Sequence, residues 1–109
     1  MSELGDLRKL FTRCFAQLLV YMLEKNYQPM IGKDGLKHMK NSLHYDGLAV
    51  DVDLCDKDGK YLSDTESHRI FGEFWENLHP LCFWGGSGIK KDGLKNDGNH
   101  YSVTYLGRK

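Results

Sequence analysis

The sequence predicts a single α+β domain, with two amphipathic helices packed on a small, mainly antiparallel sheet. Three observations lead there. Apolar residues recur at helical spacing in two stretches, about residues 4–25 and again from Ser63 to His79. Between them, Gly47-Leu48-Ala49-Val50-Asp51-Val52-Asp53-Leu54 alternates with period two, the pattern of a half-buried strand. Finally, His100-Tyr101-Ser102-Val103-Thr104-Tyr105 is rich in strand-forming residues. With 109 residues and neither linker nor internal repeat, residues 1–109 read as one domain.

In the first helix Leu7, Leu10, Phe11, Cys14, Leu18, Tyr21 and Met22 form the apolar stripe, and Asn26 with Pro29 ends it. Residues 28–41 read as irregular, broken by Gly32 and Gly35. In the strand that follows, Leu48, Val50, Val52 and Leu54 share one face, and Ala49, Asp51 and Asp53 the other. Asp56-Lys57-Asp58-Gly59 turns the chain into a hairpin arm near Tyr61-Leu62. Ser63 and Glu66 have capping-box spacing for the second helix, whose stripe is Ile70, Phe71, Phe74, Trp75 and Leu78 and which closes at His79-Pro80. Cys82-Phe83-Trp84 reads as a short buried strand ending at Gly85-Gly86, followed by a glycine- and lysine-rich loop.

Composition excludes several classes of function. Acidic and basic side chains balance at 15 each, so no electrostatic footprint for nucleic acid is expected. No segment reaches the ~20 apolar residues of a membrane span, and charges at Glu3, Asp6, Arg8, Lys9 and Arg13 interrupt any secretory pattern. Cys14, Cys55 and Cys82 are odd in number and irregular in spacing, which favours reduced thiols over a disulfide framework. The small neutral chain suggests a monomer.

Two short clusters can carry chemistry. An extended chain would separate His44 from Asp51 by ~23 Å, but Tyr45-Asp46-Gly47 is a turn sequence that folds His44 back toward the strand. Imidazole and carboxylate can then reach one ion at the ~2.0–2.2 Å that zinc requires. In Asp97-Gly98-Asn99-His100 a tight turn brings the carboxylate and the histidine to one side. Two histidines and one carboxylate leave a fourth tetrahedral position for water, as in catalytic zinc sites. Such spacings also arise by chance, and a structural protein in which these histidines never meet is the competing reading. Asp53 shares the face of Asp51 and is the alternative ligand. His38 and His68 read as surface or partly buried residues, and His79 as a helix C-cap. Trp84-Gly85-Gly86 is either a core aromatic with a turn or the floor of a groove; Tyr101 and Tyr105 read as packing.

Ser42-Leu43-His44-Tyr45-Asp46-Gly47-Leu48-Ala49-Val50-Asp51 resembles the Ser-x-His-x(6)-Asp signature of the zinc D,D-carboxypeptidases and L-alanyl-D-glutamate endopeptidases. These cleave peptidoglycan, share a fold with the Hedgehog signalling domain and include phage endolysins. Phe83-Trp84-Gly85-Gly86, then Asp97-Gly98-Asn99-His100-Tyr101-Ser102, resembles the second signature of that family. Asp58-Gly59-Lys60-Tyr61-Leu62 and Phe71-Gly72-Glu73-Phe74-Trp75 are similar to its phage branch, and the likeness runs from Phe11 onward.

The resemblance implies a zinc peptidase acting on the peptidoglycan stem peptide, with His44, Asp51 and His100 as ligands, Asp97 as the proton-transferring carboxylate and Ser42 near substrate. It further implies a phage lysis enzyme made in the host cytoplasm and released to the periplasm by a separate membrane-permeabilising protein. One departure stands out. Relatives carry an arginine before the first signature, whereas residues 29–37 contain only Lys33 and Lys37, and lysine lacks the planar fork of arginine. That leaves two functional classes open, a peptidase or a zinc-holding cell-wall-binding module without turnover, and leaves open which stem-peptide bond is cut.

Overall fold

The computed structural model describes residues 3–32, 43, 46–87 and 98–109. Helix α1 (Glu3–Glu24) buries Phe11, Cys14, Leu18 and Met22, the centre of the expected stripe. It ends at Asn26, whose positive φ of 68° lets the Tyr27 N–H turn back to the Met22 carbonyl at 3.0 Å. The chain then enters strand β1 (Gln28–Ile31), where sequence alone suggested an irregular segment. Pro29 is tolerated because β1 lies at the sheet edge and, among the described strands, pairs only with β2 (Ala49–Cys55).

β2 is the organising strand. Val50, Val52 and Leu54 are buried, and Ala49, Asp51 and Asp53 only partly so, as the period-two pattern requires. The hairpin to β3 (Tyr61–Leu62) forms at residues 56–59, where the Asp56 carboxylate accepts the Asp58 and Lys60 N–H groups at 2.9 Å each. Helix α2 (Thr65–Leu78) follows, then β4 (Cys82–Trp84) and β5 (His100–Val103). The five-stranded sheet has the order β1-β2-β5-β4, with β3 on the far end of β2, and every pairing is antiparallel. The fold is α+β, and both helices contribute to one core on one side of the sheet.

Two expectations about α2 are corrected. Its N-cap is Asp64, not Ser63: the Asp64 carboxylate accepts the Ser67 N–H at 3.0 Å, which leaves Glu66 one position out of box register and paired with Arg69 at 2.7 Å. The buried face is also rotated. His68, Phe71, Gly72 and Trp75 face inward while Ile70 is 44% exposed. Gly72 sets that rotation, because a Cβ there would stand 2.0 Å from the Trp84 ring, so only glycine lets α2 settle on β4. Trp75 fills the centre, packing edge-on against Phe11 and Tyr101 and donating to the Ser102 carbonyl at 3.0 Å.

Candidate functional site

The turn expected before β2 is present. Leu43 is buried, and its carbonyl accepts the Asp46 N–H at 3.1 Å and the Leu48 N–H at 3.0 Å. Gly47 takes a φ of 73°, the left-handed conformation glycine adopts without strain. The neighbour of His44 is thereby hydrogen-bonded to a residue only about 10 Å of strand before Asp51. Arg108 reaches Asp46 at 2.7 Å and pins the turn from outside. His44 itself lies outside the described residues, as do Ser42, Asp97 and His38.

Asp51 and His100 come together. They are directly opposed in the β2–β5 register, on the sheet face away from the helices, with His100 Nδ1 3.4 Å from Asp51 Oδ1. Their side chains are 22% and 12% exposed, screened but not sealed. Backbone bonds hold both peptide units. The Asp51 carbonyl accepts the Gly32 N–H at 2.6 Å, the His100 carbonyl accepts the Gly85 N–H at 2.8 Å, and the Asn99 carbonyl accepts the Val52 N–H at 2.8 Å. Asp53 lies farther along, opposite Met30 on β1, and its carboxylate accepts the Tyr61 hydroxyl at 3.4 Å.

Behind the pair, the segment before His100 is fastened to the helix layer. Trp84 is buried and its indole N–H donates to the Gly98 carbonyl at 2.6 Å. A Cβ on Gly98 would stand 2.6 Å from Thr65 Cα, so glycine lets this turn tuck against the start of α2. Glu76 accepts the Trp84 N–H at 3.1 Å and the Ser87 hydroxyl at 3.3 Å, a role the sequence reading missed. Trp84 is therefore a core residue, bonded to the backbone two residues before His100.

The other two described histidines, His68 and His79, have structural partners. His68 is fully buried rather than exposed or partly buried, and its Nδ1 lies 3.0 Å from the Tyr101 hydroxyl, a bond made across 33 residues of sequence. Burial raises the Tyr101 phenol well above its ordinary value, so it stays protonated. His79 is the C-cap of α2, and its Nδ1 accepts the Leu81 N–H at 3.1 Å.

The geometry of the pair fits shared ligation. Two atoms each ~2.0–2.2 Å from a tetrahedral zinc lie about 3.3–3.6 Å apart, whereas a strong charge-assisted hydrogen bond closes to ~2.7–2.9 Å. The observed 3.4 Å falls in the first range, and it is also within reach of a long hydrogen bond or ion pair. Among the described residues no third histidine, cysteine, aspartate or glutamate completes a metal-binding group. Comparison with family models, with curated proteins and with solved structures finds no match to this chain.

Proposed function

We propose that this protein is a zinc-dependent peptidoglycan peptidase that hydrolyses an amide bond in the stem peptide. The bond between L-alanine and D-glutamate, cut by the phage branch of the resembled family, is favoured over D-alanyl-D-alanine. The observation that carries the reading is the Asp51–His100 pair, opposed on adjacent strands on the sheet face opposite α1 and α2, with Nδ1 and Oδ1 3.4 Å apart. The two ordered signatures around it supply the remaining members.

His44, Asp51 and His100 would hold the ion. When bound, zinc supplies a Lewis acid for the scissile carbonyl and lowers the pKa of a water toward ~7. Asp97 takes the proton of the attacking water and returns it to the departing amine. By the resemblance Ser42 would contact substrate, and the peptide would approach over the sheet face opposite α1 and α2. The protein is made in the cytoplasm of an infected bacterium and works on the cell wall after a separate protein permeabilises the membrane.

Zinc content by elemental analysis tests the reading, with wild type beside a His44→Ala/His100→Ala double variant. One zinc per chain, lost in the variant, is expected; a metal-free wild type prepared without chelator would sink the proposal. Asp97→Ala should keep its zinc and lose digestion of purified cell walls. A second reading, a zinc-holding wall-binding module without turnover, is favoured by the lack of arginine in residues 29–37. Wall binding without release of new amino groups by the wild type would select it.

A further inference from the structure

The Asp51–His100 pair is the middle of a row that crosses four strands. Ile31 is opposite Val52 and Trp84 is opposite Tyr101, so the next residues, Gly32 and Gly85, fall level with Asp51 and His100. Both flanking residues donate their N–H groups to the pair's carbonyls, Gly32 at 2.6 Å and Gly85 at 2.8 Å. At Gly32 the approach is closer than any other side chain would permit. A Cβ there would stand 2.9 Å from the Asp51 carbonyl oxygen and 3.1 Å from the Asp51 Cβ. Neither atom belongs to a flexible end: one is backbone of the central strand, the other the root of the carboxylate. The φ of Gly32 is not in the left-handed region, so space, not conformation, calls for glycine here. The preceding residues Met30 and Ile31 carry large side chains that are 54% and 66% exposed, so the tight approach is confined to the level of Asp51.

We propose that Gly32 is a positioning residue for Asp51, an inference that rests on the zinc reading above. By closing to backbone contact and bonding the Asp51 carbonyl, it sets where the Asp51 Cβ stands and so where the carboxylate meets the imidazole of His100. A methyl group at position 32 displaces that Cβ by a few tenths of an ångström, at a site where ligand placement within ~0.5 Å matters. Gly85 holds the His100 peptide unit by the same kind of bond.

The test measures zinc affinity by chelator competition for wild type, Gly32→Ala and Met30→Ala. The thermal midpoint of each metal-free form and the visible spectrum of each Co²⁺-loaded form are recorded alongside. Gly32→Ala should unfold cooperatively when metal-free, bind zinc ~10–100-fold more weakly and show altered cobalt bands, the size of effect seen when groups that orient a ligand are changed. Met30→Ala should match wild type in affinity and spectrum. Wild-type affinity and spectrum in Gly32→Ala would overturn the inference and leave the zinc reading standing. Failure of the wild type to bind zinc would overturn both. If Gly32→Ala does not fold, hydrogen exchange at the Gly32 amide of the wild type decides. Zinc must raise its protection if the bond and the ligand are coupled, and equal protection with and without zinc overturns the inference.

Discussion

On the helix side of β2, Val50, Val52 and Leu54 lie under α1 and α2 with Tyr101 and Val103 beside them. On the other side of the same strand, Asp51 keeps 22% of its side chain exposed and meets His100. The two faces share a backbone and a hydrogen-bond ladder but differ in what their side chains do. One removes apolar area from water and supplies stability; the other holds a partly solvated polar pair. A strand lets both coexist because successive side chains point opposite ways.

That contrast can be broken most severely from the helix side. Trp75→Ala removes a fully buried ring with its bond to Ser102 and should cost about 3–5 kcal/mol in urea denaturation. Alkaline pH should act on the same face. Burial, with Cys14 beside it, pushes the Cys82 thiol up to about 12 from 9.0, and burial raises Tyr101 as well. The unfolded chain releases the Cys82 proton near 9.0 while the folded chain keeps it, so this contribution is intact below 9.0 and is lost as pH climbs toward about 12. A urea midpoint lower at about pH 10.5 than at about pH 7 is the expected result, and the same drop should appear in Asp51→Asn.

Asp51→Asn sharpens the comparison from the other side. The metal-free variant should stay within about 1 kcal/mol of wild type, and on the proposed zinc reading it should lose the ion. A large loss of metal-free stability would mean that the open face is structural after all. The smallest effect is expected at Asp64. The bond from the Ser67 hydroxyl holds its carboxyl below the ordinary value of 3.8, so its capping contribution is present above 3.8 and fades as pH falls through the lowered value. Asp64→Ala should speed hydrogen exchange at Ser67 with little movement of the global midpoint.

Local patterns made much of this legible. Period-two alternation marked β2 and its faces, the 3.6-residue stripe marked the buried residues of α1, and Asp46-Gly47 marked the turn beside His44. What escaped depended on distant partners. Nothing near His68 indicates burial, because the Tyr101 hydroxyl that satisfies it lies 33 residues on. The rotation of α2 follows from Trp84 pressing on Gly72, again a contact between segments. β1 was hidden because Gln28–Ile31 is an edge strand with a proline and a mostly exposed burial pattern, so it lacks alternation. At the candidate site, sequence brought Asp51 and His100 forward by motif, but the glycines level with them became visible only through strand register.

The strand order β1-β2-β5-β4 also bears on synthesis. β5 inserts between two strands that precede it in the chain, so a ribosome releases β2 and β4 before the strand that joins them exists. Until then each keeps an open edge, and the β5 residue that faces Asp51 is not yet in place. Pairing across 49 residues places assembly of the pair among the slow, late events of folding. A nascent chain therefore cannot assemble the Asp51–His100 pair until β5 has emerged.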